Sequence, residues 1–178
     1  MKKIETKDEI VSAGKVTLSA LQPNAIARLL GYGFTLNDAI REARMLGLER
    51  RRVESTNLVT TVGKQFISRR ITGEEMTGLT YMAVGTGTTD PAVSDIALET
   101  ETLRKLLTEC EQGDANFYST VYLLASECSF YLKEGGLFGG AAAGAAADSG
   151  SLLCRFLLDF DNTTLQQDLT IQHTGEVS

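Results

Sequence analysis

The sequence predicts a mainly β protein, an antiparallel sandwich or rolled sheet with an N-terminal helical extension, α+β overall. Three observations lead there. From residue 54 onward, short β-branched or alternating runs recur between glycine- and aspartate-containing turns, as in sandwiches and barrels. The first fifty or so residues instead hold the clearest helical periodicity. With 178 residues, 43% of them hydrophobic and 22% charged, the chain can bury about two-thirds of its unfolded surface without disulfides or a metal.

The elements follow in order. Residues 15–21 alternate weakly and predict a short strand or an extended arm. Pro23 opens a short helix over 24–30, where its missing N–H costs little in the first turn, and Gly31-Tyr32-Gly33 breaks it. Thr35 with Asp38 three residues on resembles a capping box. Beyond it Leu36, Ala39, Ile40, Ala43 and Leu46 share one helical face, and the helix ends near Gly47. Arg50, Arg51 and Arg52 come next. They read either as a patch for nucleic acid or an acidic partner, or as a solvated helix end whose cations complement the dipole.

Residues 57–62 predict a strand leading into a helix over 63–71, with Val62, Phe66, Ile67 and Ile71 at near-helical spacing. A strong strand over 79–84 is stopped by Gly85-Thr86-Gly87-Thr88-Thr89-Asp90-Pro91. Residues 103–110 and 117–124 flank a hairpin loop at 112–116, and 128–132, 152–160 and 168–173 complete the strands. The predicted organisation is an arm with two short helices over 1–53, serving as a docking region, and a β-rich structural domain over 54–178. Within the latter, the Gly/Ala-rich stretch 139–150 reads as a mobile hairpin tip. Its alternative is a loop ordered against a neighbouring subunit, which the small residues around Gly139, Gly140 and Gly144 would permit. Gly135 and Gly136 suggest a sharp turn presenting Leu137 and Phe138, as an apolar wedge or as ordinary core residues.

Several chemistries are argued against. Lys plus Arg is 17 against 23 Asp plus Glu, a net charge of -6, so neither nucleic acid nor a membrane surface is an expected partner. No run approaches the roughly 18 to 20 apolar residues of a membrane span. Met1-Lys2-Lys3 leads into charges and not into an apolar signal core. Cys110, Cys128 and Cys154 are far apart and odd in number, which points to a reducing compartment, a cytoplasm.

The glycine-rich run 85–90 fails as a dinucleotide fingerprint, because Asp90 stands where Gly or Ala is needed and Pro91 follows. His173, the only histidine, reads as a strand-surface residue, with no GxSxG sequence to place a serine beside it. Glu99 and Glu101 could form a catalytic carboxylate pair. With Arg104 following, they read better as part of an ion-pair network, in which Arg104 and Arg155 are the cations. One histidine and scattered cysteines offer no metal-ligand cluster. No catalytic, cofactor-binding or metal residue is assigned, and no cofactor or small-molecule substrate is expected.

Five stretches taken in order carry a resemblance. They are Val59-Thr60-Thr61-Val62-Gly63-Lys64-Gln65-Phe66-Ile67, Tyr81-Met82-Ala83-Val84-Gly85-Thr86-Gly87-Thr88-Thr89, Leu98-Glu99-Thr100-Glu101-Thr102-Leu103-Arg104, Glu134-Gly135-Gly136-Leu137-Phe138 and Leu152-Leu153-Cys154-Arg155-Phe156. With the Gly/Ala-rich turn, this order resembles a domain of small structural proteins of tailed bacteriophages, over roughly residues 55–175, while 1–52 match nothing in it. The resemblance implies a non-enzymatic virion component, an adaptor or anchoring protein of the tail, collar or baseplate. Its partners would be other copies of itself and neighbouring virion proteins. Arg50, Arg51, Arg52, Leu137, Phe138, Gly139, Gly140 and Gly144 are the candidate assembly contacts. A capsid decoration (cement) protein is the alternative within the virion. A carbohydrate-binding module or small hydrolase at a tail tip is the alternative from another class, though five Tyr and no Trp leave few stacking platforms.

Overall fold

The computed structural model describes residues 12–176, so the Met1-Lys2-Lys3 start lies outside the described residues. In chain order the elements are β1 (Ser12–Leu21), α1 (Ala25–Gly31), α2 (Leu36–Met45), β2 (Glu49–Val59), α3 (Thr61–Thr72), β3 (Leu79–Gly85), β4 (Glu101–Leu106), β5 (Glu109–Gln112), β6 (Asn116–Leu123), β7 (Tyr131–Gly139), β8 (Ser151–Asp161) and β9 (Asp168–Glu176). The protein is mainly β. Nine strands form one curled antiparallel sheet in the order β4-β3-β7-β8-β2-β1-β9-β6-β5.

Two strands turn the corners. The first part of β2 pairs with β1, from Glu49 to Thr56, and Asn57, Leu58 and Val59 pair with β8. At the opposite corner the two edge strands are consecutive in sequence. Only Leu107 and Thr108 separate β4 from β5; Leu107 N donates to Thr80 O and Thr108 N to Thr120 O, each at 2.8 Å. The predicted single strand 103–110 is therefore broken at this bend. The two edge strands of the sheet thus meet at this bend, while beyond it β4 and β5 are not paired with each other.

Three apolar clusters hold the roll. Its interior is filled by side chains including Leu18, Val84, Val121, Leu137, Phe156 and Ile171, with Phe66 of α3 closing one end. On one outer face, Ile26, Leu36, Ala39, Ile40 and Ala43 of α1 and α2 pack around Leu21 and Tyr122. On the other, Leu98 packs against Ala83, Phe138 and Leu152. Residues 86–100 thus serve as a strap across the sheet.

Residues 12–53 are not a helical extension. β1 lies between β2 and β9, and the predicted boundary at 53/54 falls inside β2. Val16, Leu18 and Ala20 face the roll interior, yet Ser19 is also fully buried, beneath Arg44 of α2. A strand covered on both faces loses the clean alternation that would have marked it as central. The helices are tied to the sheet by buried or half-buried carboxylates. Glu109 accepts from Leu36 N at 2.5 Å and Asn37 N at 3.2 Å, at the start of α2. Asp168 accepts from Asn24 N at 2.7 Å, Tyr122 Oη at 2.6 Å and Ala125 N at 2.9 Å. The predicted cap holds, since Thr35 Oγ1 accepts from Asp38 N at 3.2 Å.

Gly135 and Gly136 make no turn: both lie in the middle of β7. Gly135 sits under the Phe156 ring, and a Cβ on Gly136 would stand 2.7 Å from Leu152 Cδ1. They are small because neighbouring side chains cross over them. Gly135→Ala is expected to cost about 1–3 kcal/mol by overpacking, while Gly144→Ala, whose Cβ would meet nothing nearer than Ser149 Oγ at 3.8 Å, should stay within about 0.5 kcal/mol of wild type. Urea denaturation of the two variants checks this; equal midpoints would contradict it.

Candidate functional site

Four of the five stretches that carry the resemblance, all but Val59–Ile67, meet on the outer face of β7 and β8, around a buried pair of opposite charges. Glu134 is fully buried and Arg155 is 2% exposed. Arg155 Nε donates to Glu134 Oε2 at 3.0 Å and Nη1 to Asp95 Oδ2 at 2.8 Å. Its Nη2 donates to the Thr89 carbonyl at 3.0 Å and to Thr89 Oγ1 at 3.1 Å. Burial opposes the guanidinium charge, but the hydrogen bonds to Asp95 and Glu134 outweigh it and hold the Arg155 pKa above its ordinary value.

Glu134 in turn organises the strap. Its carboxylate accepts from Gly87 N at 3.1 Å, Glu99 N at 3.0 Å and Thr100 N at 2.7 Å. Glu99 accepts from Thr88 N at 2.6 Å, Thr89 N at 2.8 Å and Thr89 Oγ1 at 3.0 Å. The Thr89 backbone and hydroxyl bonds, with smaller help from Thr88 and Arg155, keep the Glu99 carboxyl below its usual pKa. The glycine-rich run that imitates a phosphate loop is thus an anion-binding loop whose anions are the protein's own carboxylates. Gly87 must be glycine here because Glu134 and Glu99 occupy the space a Cβ would take.

A second ion pair anchors the Gly/Ala-rich loop. Arg104 bonds Glu101 at 2.6 Å with both side chains almost wholly buried, and its guanidinium lies 4.0 Å from the Phe138 ring centroid. Arg104 Nη1 donates to the Ser149 carbonyl at 2.8 Å. Ala141 N donates to Glu75 Oε2 at 3.0 Å, and Gly144 N to Ser149 Oγ at 3.0 Å. The loop is therefore held down by its own chain, a third possibility beside the two weighed from sequence.

The candidate assembly contacts do not form one patch. Leu137 and Phe138 are both fully buried in the chain's own core and offer a neighbour no surface. Gly139 and Gly140 are buried and Gly144 is half-buried. Arg50, Arg51 and Arg52 are exposed, but in strand β2 and not at a helix end. Arg52 pairs with Glu49 at 2.8 Å, Arg51 lies 5.3 Å from the Phe160 ring centroid, and Arg50 makes no ion pair among the described residues.

Sequence reasoning had Arg104 and Arg155 pairing with Glu99 or Glu101, and the structure gives Arg104 to Glu101. That reasoning missed Glu134 and Asp95 as the main partners of Arg155, which reaches Glu99 only at 3.9 Å. The available signal was a lone Glu and a lone Arg, each inside an otherwise apolar or glycine-rich strand. Such charges must find each other when buried.

His173 is a further correction. It is 1% exposed, with its ring tilted against Phe117 at 5.6 Å, and neither ring nitrogen has a hydrogen-bond partner among the described residues. Burial pushes its pKa down to about 4. Burial likewise pushes the thiols of Cys128 and Cys154 up to about 11 and about 12, so neither is a thiolate at neutral pH. Among the described residues no three His, Cys, Asp or Glu cluster to hold a metal, and no helix is long and apolar enough to cross a membrane. No protein-family model matches the chain, and neither a curated protein nor a solved structure matches it.

Proposed function

We propose that this chain is a non-enzymatic structural component of a tailed-bacteriophage virion, an adaptor or anchoring protein of the tail, collar or baseplate, made in the host cytoplasm. One observation carries the reading: four of the five stretches that resemble phage structural proteins are joined by the Glu134–Arg155 pair, and the first is bonded to the last. Gly87, Thr89, Glu99 and Thr100 bond to Glu134 or Arg155. Thr60, from the first stretch, donates to the Leu152 carbonyl of the last at 2.6 Å. Both carboxylate oxygens of Glu134 and all three guanidinium nitrogens of Arg155 are engaged by the chain itself. Groups so occupied serve as a scaffold and not as reagents. A rigid rolled sheet with its straps bonded down suits a part repeated in symmetric copies beside other virion proteins.

Immunogold labelling of intact particles of the phage that encodes the chain tests this. Label on the tail, collar or baseplate is expected. Label confined to the head surface would favour the cement protein, and unlabelled particles together with a strictly monomeric purified protein would remove the reading. Gly144 supplies a second test. If a neighbour packs against the 139–150 loop, Gly144→Ala should keep the denaturation midpoint yet lower incorporation into particles several-fold, by quantitative mass spectrometry. Unchanged incorporation would take Gly144 off the contact surface.

A further inference from the structure

We infer that the free edge of β5 and the apolar slot beside it accept an extended segment of another polypeptide, added as a short strand between β5 and the beginning of β3. The inference rests on the assembly reading only for where that segment comes from. β5 ends the sheet, and Cys110, Glu111 and Gln112 are exposed. Its hydrogen-bond phase is set at both ends. Gly113 N donates to Asn116 O and Thr108 N to Thr120 O, with Glu109 opposite Thr120 and Glu111 opposite Tyr118. Alternate residues of an antiparallel pair bond across it. Glu109 and Glu111 therefore face β6, and the backbone N–H and C=O groups of Cys110 and Gln112 point away. Among the described residues nothing bonds to those four groups.

Beside this edge lies a cavity of about 410 Å³, walled by Phe66, Ile67, Phe117 and Leu153. Gly78 and Leu79 form its far side. There β4 has already left β3, since the last link between them is Leu107 N to Thr80 O. The place a further strand would take is open, with unpaired backbone on one wall and an apolar floor. Arg70 supplies the charge. It lines the cavity, and its guanidinium donates only to the Glu75 carbonyl, at 2.9 Å, without a carboxylate partner among the described residues. The other charged lining residue, Glu111, is engaged by Asn37 Nδ2 at 2.6 Å.

This chemistry specifies the occupant. Outward N–H and C=O groups call for another extended backbone, of about four residues to match β5. The slot calls for one apolar side chain, and Arg70 for an Asp or Glu near it. In such β-addition the main chain supplies affinity and the pocket specificity. A small apolar molecule would leave the outward backbone groups unused.

The test is a displayed random heptapeptide library panned against the full chain, with affinities of the enriched peptides measured by fluorescence anisotropy. Enriched peptides should share an apolar residue flanked by Asp or Glu. Gln112→Pro removes one outward N–H at an edge position that tolerates proline, and should weaken binding about tenfold or more. Gln112→Ala, which keeps the backbone, should change it less than about twofold, and Arg70→Gln should weaken it about three- to fivefold. Peptide binding to the wild-type chain should also slow amide hydrogen exchange at Cys110 and Gln112 at least about tenfold, a readout that needs no variant to fold.

The inference is overturned if no peptide is enriched, or if enriched peptides leave those two amides unprotected. Displacement of the peptides by an apolar dye that binds wild type and Gln112→Pro equally would give the slot to a small ligand. Dimers lost in Gln112→Pro would give the edge to a second copy. Particle labelling is independent of all these arms: peptide binding to a strictly monomeric protein that never labels particles would sink the assembly reading and leave the strand site standing.

Discussion

Arg155→Met is expected to destabilise the protein by about 3–5 kcal/mol, because it leaves the Glu134 carboxylate buried without a cation. For a chain of this size that corresponds to a fall in Tm of about 6–20 °C. The cost comes from stranding a charge. Accordingly, the double variant Glu134→Gln with Arg155→Met should be less destabilised than the sum of the single variants, by about 1–3 kcal/mol. The damage should also be local at first. The strap, which loses its bonds from Arg155 to Asp95 and Thr89, should become cleavable within residues 86–100 under native conditions. Thermal and urea unfolding of the four proteins measures the cycle. A single-variant loss below about 1 kcal/mol, or strict additivity, would show that the pair does not hold the fold together.

The second large effect is a loss of stability on mild acidification, centred on His173. Its pKa is about 4 in the folded protein against 6.5 for the free side chain. Well above pH 6.5 the imidazole is neutral in both folded and unfolded chains and contributes no pH dependence. As the pH falls from 6.5 toward 4 the unfolded chain takes up a proton that the folded one refuses, so stability is lost across that window. The full difference amounts to about 3 kcal/mol. Protonation in place would put a charge beside the Phe117 ring with no hydrogen-bond partner for either nitrogen. His173→Leu should therefore be at least as stable as wild type at pH 7 and lack the slope between pH 6.5 and 4.5. Below that range, carboxylates with lowered pKa, such as Glu99 and Asp159, add acid sensitivity to both proteins. Parallel stability curves from pH 7 to 4.5 would rule His173 out as the cause.

Local signals in the sequence located most elements. Thr35 with Asp38 marked a helix start that the structure keeps as a side-chain cap, because capping is settled within four residues, whereas Thr60, read as part of a strand, caps α3. The hairpin around Gly113 was legible for the same reason. The N-terminal region was not. β1 looked like an arm because its two long-range neighbours, β2 and β9, lie far along the chain, and no local pattern reports such pairing. Arg50, Arg51 and Arg52 looked like a helix end because they directly follow a helix; they are in a strand because β1 offers them a partner. Gly135 and Gly136 looked like a turn because a close packing neighbour is invisible in sequence, whereas turn propensity is not.

The same division separates the ions. Arg104 with Glu101, three residues apart, could be anticipated. Glu134 with Arg155, 21 residues apart in neighbouring strands, could not be told from Glu99 with Arg155 without the strand register. By itself the sequence determined the β-rich class, the Thr35 helix cap and the hairpin, and it weighed against a phosphate loop. Those properties depend on residues within a few positions of one another. The tertiary structure alone decided that the sheet rolls, that the glycine-rich run binds internal carboxylates, that His173 is buried and that β5 keeps an open edge. Each of these follows from burial and pairing between segments far apart in the chain, where the free energy of a contact depends on what finally covers it.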